Sequence, residues 1–184
     1  MPSLSRCGLA LLILLPLLGG PASAGDALDA RLQIGIGLLP AVMAANKQLS
    51  RVESGKSLPV YLVYRENLHL ARQLEETLGR DSKVRGHALD IKSISLGSLH
   101  NNKVDALTTI FLVESLDSHL AEMIEFTRER QLLLFSPFKG DVERGASAGF
   151  QVTHKVLPAV NMTTLKASKI QLKAFFLRVA VKHE

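Results

Sequence analysis

The chain of 184 residues has a single cysteine, no tryptophan and only two tyrosines. The cysteine, Cys7, falls among the first 24 residues. Everything after it therefore lacks a disulfide, a thiolate metal ligand and a thiol nucleophile. Aromatic residues make up 5% of the chain and its lysines and arginines are dispersed, so the basic stacking surfaces that grip nucleic acid are not expected. No internal repeat and no low-complexity tract is present. Nor is there an apolar run of the roughly 20 residues that a membrane-spanning helix needs.

What is present begins with an address. Arg6 gives a weakly positive start, residues 8–18 are apolar apart from Pro16, and Gly19-Gly20-Pro21 ends the run. Ala22-Ser23-Ala24 then fits the small-x-small rule for signal-peptidase cleavage between Ala24 and Gly25. Residues 1–24 are thus expected to be a cleaved signal peptide and 25–184 a single domain, exported to the periplasm and not itself membrane-spanning. Cys7 precedes the apolar run, whereas a lipoprotein cysteine would follow it. Removing Arg6, the one charged side chain before Gly25, lowers the net charge from +5 to +4. That mild basic bias suits solubility or an acidic surface.

Hydrophobic spacing then divides the domain. Around residues 29–49 two readings compete: Leu32, Ile34, Ile36 and Leu38 alternate, yet Leu32, Ile36, Leu39 and Met43 share a helical face. Gly35, Gly37 and Pro40 weaken both, and the balance favours a helix over 38–47. Residues 59–64 form an apolar run typical of a strand covered on both faces. Asn67 is an N-cap for a helix whose stripe is Leu70, Ala71, Leu74 and Leu78, ending at Gly79. Residues 80–85 read as an exposed turn, 87–95 as a half-buried strand and 106–113 as a buried one. Ser115 or Asp117 is placed to cap a helix burying Leu120, Met123, Ile124 and Thr127. Strands follow at 132–135 and, broken around Pro158, at 150–160. Asn161 caps a short helix, and a last helix starts near Lys173. The order α-β-α-β-β-α-β-β-β-α predicts an α/β layered domain, a mixed sheet flanked by helices.

Several motifs resemble chemical signatures and fail on context. Gly145-Ala146-Ser147-Ala148-Gly149 matches the G-x-S-x-G nucleophile elbow, but an elbow follows a buried strand and opens a helix. Here charges precede Ser147 and an alternating segment follows it. The acid that should come later in the chain is also missing, since no Asp and only the terminal Glu184 lie beyond Ser147. The glycines are better read as a tight turn into a strand. Ser54-Gly55-Lys56-Ser57 carries the tail of a phosphate loop, yet Ser50 stands where its first glycine belongs and the segment precedes a strand. The histidines His69, His87, His100, His119, His154 and His183 show no metal-ligand spacing and read as surface residues. Neither a metal nor a cofactor is expected, and no catalytic residue. Asn161-Met162-Thr163 is a glycosylation sequon that the capping role already explains.

One segment resists this treatment. Residues 135–149, FSPFKGDVERGASAG, crowd glycine, proline, phenylalanine and four charges between two strands. A connection of that composition at the end of a sheet is where a binding surface is expected. The candidate partner- or ligand-binding residues are Pro137, Phe138, Lys139, Gly140, Asp141, Glu143 and Arg144. Asp141 and Arg144, three apart, can pair locally or meet a polar ligand.

The C-terminal half carries a resemblance. A glycine-led strand from Gly145, then PAVN at 158–161 and IQLKAFFLRVA at 170–180, resembles the end of the YfiR-like family of small exported bacterial proteins. The front half is compatible with it. The resemblance implies a periplasmic α/β protein that is not an enzyme and that regulates or senses by docking on the periplasmic part of a membrane sensor, cyclase or kinase, with a homodimer left open. Members of the namesake type carry cysteines and an aromatic N-terminal helix ending in Trp-Pro. This chain has GLLPAVMAAN at 37–46 in its place, so disulfide-linked sensing does not carry over. A solute-binding protein of a transport or sensing system is the alternative.

Overall fold

The computed structural model describes residues 24–79, 82–102 and 104–184. Most of the expected signal peptide lies outside the described residues. Ala24 and Gly25 are the first two residues of helix α1 (Ala24–Ala45).

Leu32, Ile36, Leu39 and Met43 are all buried, so the helical spacing prevails over the alternation. The helix is far longer than 38–47 because its apparent breakers have local explanations. A Cβ on Gly35 would lie 3.0 Å from the Cβ of Pro137 and 3.2 Å from the Phe111 ring, so glycine lets α1 settle closely on the sheet. Pro40 withholds the N–H that the Ile36 carbonyl would accept, a cost of about 3 kcal/mol. Burial of Leu39, Val42 and Met43 around it is worth about 1.5–3 kcal/mol each and outweighs that cost.

After a 3₁₀ turn at Lys47–Arg51 the chain forms β1 (Leu58–Tyr64), α2 (Leu68–Leu78), β2 (Lys83–Val84), β3 (His87–Ser95) and a one-turn helix α3 (Leu96–Leu99). There follow β4 (Thr109–Leu112), α4 (Leu120–Glu129), β5 (Leu133–Phe135), β6 (Ala148–Val152), β7 (Val156–Asn161), α5 (Met162–Ala167), α6 (Ala174–Val179) and β8 (Val181–His183). The fold is an α/β layered domain on one mixed, mostly parallel sheet of order β2-β3-β1-β4-β5-β6-β7-β8. Only β2–β3 and β6–β7 are antiparallel.

Alternation along β1 builds two cores. Val60 and Leu62 join α1, α2, α5 and α6 on one face, where Phe111 and Phe135 stack with centroids 5.4 Å apart. Tyr61 and Val63 join Leu120, Met123 and Phe126 of α4 on the other. The chain leaves β1 for β3 on one side and then returns to β4 on the other, which makes the C-terminal end of β1 the switch point of the sheet.

Four details correct the sequence reading. The turn at 80–85 contains β2, whose Val84 is buried. Neither Ser115 nor Asp117 caps α4. Asp117 adopts a positive φ of 40° inside a 3₁₀ turn, and the Ser115 hydroxyl donates to its carboxylate. Phe126, rather than Ile124, completes the buried face of α4. Finally, the last helix is followed by β8, three residues that add a parallel edge beside β7. The Asn67 and Asn161 caps form as expected, each side-chain oxygen accepting from a backbone N–H at 2.9 Å.

Candidate functional site

The connection between β5 and β6 is folded on itself. Gly140 (φ 87°) and Gly145 (φ 120°) provide the left-handed backbone that turns it, and Arg144 N–H donates to the Gly140 carbonyl at 3.0 Å. At its centre Asp141 is 0% exposed. One carboxylate oxygen accepts from the Ser136 hydroxyl at 2.5 Å and the other from the Arg144 guanidinium. Ser136 Oγ also accepts from Phe138 N–H at 3.2 Å, so one hydroxyl ties both Phe138 and Asp141 to the start of the loop.

Neighbouring elements hold the loop down. From α1, Arg31 Nε donates to the Pro137 carbonyl at 2.8 Å, and its guanidinium lies 4.7 Å from the centre of the Phe150 ring. Burial pushes the Arg31 pKa below its ordinary value while the charge of Asp141 pulls it back up. A guanidinium stays charged through such a shift. At the start of α5, Asn161 Nδ2 donates to the Val142 carbonyl at 2.9 Å and Thr164 Oγ1 to the Gly145 carbonyl at 2.8 Å. Gly149 is required by this packing, because a Cβ there would lie 2.4 Å from the Ser136 carbonyl oxygen.

The proposed binding residues therefore divide. Pro137 and Asp141 are buried and Phe138 and Gly140 half-buried, whereas Lys139, Glu143 and Arg144 stand exposed. Asp141 is committed to the loop and presents no free oxygen to a partner. Glu143 lies 3.7 Å from His183 of β8, and Arg144 keeps a half-exposed outer side while it holds Asp141.

Ser147 is 0% exposed, and its hydroxyl accepts from Leu134 N–H at 3.3 Å, which fits a turn entering a strand and not an exposed nucleophile. Ser54 to Ser57 lie in the loop before β1. Among the described residues no cluster of three His, Cys, Asp or Glu could hold a metal ion. His183 departs from the surface reading, since its Nε2 is buried with no hydrogen-bond partner among the described residues. Asn161 is also buried, with both side-chain groups engaged, which leaves its nitrogen no access to glycosylation.

Doubly wound sheets bind ligands beyond the carboxyl ends of their strands at the switch point. Here the backbone N–H groups of Arg65, Glu66 and Asn67 converge there, at 3.1, 3.0 and 2.6 Å from a single oxygen of Glu114. Three N–H groups facing one point form an anion-binding concavity. The chain fills it with its own carboxylate, carried just past β4. Neither Glu114 nor Arg31 stood out in sequence. The one available signal was an acid placed directly after a buried strand.

Compared with protein-family models and with curated proteins, the chain matches none. No described helix is long and apolar enough to cross a membrane.

Proposed function

We propose that this protein is a non-enzymatic regulatory or sensory module of the periplasm that docks on the exported part of a membrane signalling protein. The observation behind this reading is the bracing of the β5–β6 loop: a buried Asp141 and three hydrogen bonds from α1 and the start of α5 hold it, while Lys139, Glu143 and Arg144 stand exposed. A charged surface held in one conformation loses little entropy when a partner binds it. The end of the sheet where ligand chemistry is usually found is meanwhile taken by Glu114. The resemblance to YfiR-like proteins and the expected signal peptide point to the same compartment and role. Cleavage after Ala24 would remove only the first residue of α1. Regulation would be a shift between docked and free states, biased by whatever favours one of them.

A photo-crosslinking residue placed at Lys139 or Glu143 in exporting cells should capture a membrane protein with an exported domain. With the crosslinker at one of these positions, reversing the other (Glu143→Lys or Lys139→Glu) should abolish capture at an unchanged melting temperature. Capture that ignores both charge reversals would overturn the placement. A mature protein that does not begin at Gly25 and stays in the cytoplasm would overturn the role. The solute-binding alternative is favoured by a different observation, a hollow at the opposite end of α5.

A further inference from the structure

The backbone brings two distant stretches of chain together beyond the last turn of α1. Lys47 N–H donates to the Gln171 carbonyl at 2.8 Å and Lys173 N–H to the Ala45 carbonyl at 2.9 Å, with an isolated bridge between Asn46 and Leu172. This junction opens into two adjoining hollows. One, of about 590 Å³, has a wall made by Met162, Leu165, Ile170, Leu172 and Leu177. The other, of about 330 Å³, is polar and holds Arg51 and Lys173. Lys47, Lys169 and Gln171 line both.

The charge here is one-sided. Lys47, Arg51, Lys166, Lys169 and Lys173 border the hollows, and among the described residues no acidic side chain lines either one. None of the five forms an ion pair among the described residues, although Lys173 Nζ donates to the Ala44 carbonyl at 3.0 Å. A lysine in the last turn of α5 complements the helix dipole, which accounts for Lys166. The last turn of the 3₁₀ helix accounts for Arg51 in the same way, but neither helix accounts for Lys47, which reaches the corner from the other end of the chain.

We infer that this corner binds a single-chain lipid anion, one alkyl chain ending in a carboxylate or a phosphate. The alkyl chain lies along the apolar wall, and the head sits where the hollows meet, between Lys47 and Lys169, with Arg51 and Lys173 behind it. The larger hollow falls within the range of small-molecule sites. A peptide laid there would bring N–H groups that need acceptors, and lysine offers none, so Gln171 would be the one acceptor side chain in the larger hollow. An alkyl chain needs no acceptor. The site is separate from the docking loop and stands whether or not that loop docks. The two are nonetheless joined by α5, whose first turn holds Gly145 and whose last turn carries Lys166.

Calorimetry on the full-length mature protein, below micelle concentrations, tests this with dodecanoate, dodecyl phosphate, dodecyltrimethylammonium, inorganic phosphate and phosphatidylglycerol vesicles. Dodecanoate and dodecyl phosphate should each bind saturably, and the tighter of the two names the head group. Dodecyltrimethylammonium and inorganic phosphate should bind far more weakly. Lys47→Glu and Lys169→Glu should each weaken the anions by about tenfold or more at an unchanged melting temperature. Leu177→Gln should weaken dodecanoate and leave the poor binding of inorganic phosphate as it was. Equal binding of the cationic amphiphile, indifference to both lysine reversals, or binding to the vesicles alone would each overturn the assignment.

Discussion

Among the described residues, three places gather several cations or converging N–H groups toward one point, and at two of them a carboxylate of the chain occupies that point. At the switch point Glu114 fills the concavity formed by residues 65–67. In the β5–β6 loop Asp141 meets Arg144 and Ser136, with Arg31 close by. At the α5–α6 corner five cations gather without a carboxylate among the lining residues. The first two anions are structural parts, and their loss should be read in stability. The corner has no internal anion among the described residues, so its cations should be read in binding. Like charges held together unpaired cost folding energy, and a ligand that neutralises them gives the arrangement a reason.

The contrast predicts a graded series of effects on stability. Gly149→Ala should be the most severe, because the new Cβ meets the Ser136 carbonyl oxygen at 2.4 Å and Val142 Cγ2 at 2.7 Å. One of those contacts is rigid backbone, so a loss of about 3 kcal/mol or more is expected in denaturant titration. Asp141→Ala comes next. It strips the Ser136 hydroxyl and the Arg144 guanidinium of their anion, and about 2 kcal/mol is expected, short of a fully buried pair because Arg144 can turn to water. The double variant Asp141→Ala with Arg144→Ala should cost less than the sum of the two single changes. Additive costs would mean that the two side chains do not act as a unit, and the comparison would lose one of its satisfied sites.

The legibility of these regions in sequence follows from how local they are. The face of Leu32, Ile36, Leu39 and Met43 and the caps at Asn67 and Asn161 are decided within a turn or two, so spacing alone displays them. The length of α1 was obscured by Gly35, whose role is defined by Phe111 and Pro137 far along the chain. β2 and β8 have two and three residues, too few to show a period of two, and exist because β3 and β7 offer free edges. The β5–β6 loop was visible as a composition, but its partition into buried Asp141 and exposed Lys139 depends on Ser136, Arg31 and Asn161. The cationic corner was the least legible. Lys47 and Arg51 are more than a hundred positions from Lys169 and Lys173, so basic residues that look dispersed along the chain converge in space.

Smaller effects sharpen the comparison most. Glu114→Ala exposes three N–H groups to water at a half-exposed site, and about 1 kcal/mol is expected in thermal or denaturant unfolding. The smallest effect belongs to the corner. Replacing Lys47 and Lys169 together by alanine removes two cations from a group of five and breaks no ion pair among the described residues, so stability should change by no more than about 0.5 kcal/mol. The direction carries the meaning. If these lysines repel one another, the double variant should melt slightly higher than the parent at low salt, and the difference should vanish as salt screens the charges. A variant that melts lower at every salt concentration would show that the lysines support the fold, which would place the corner with Glu114 and Asp141.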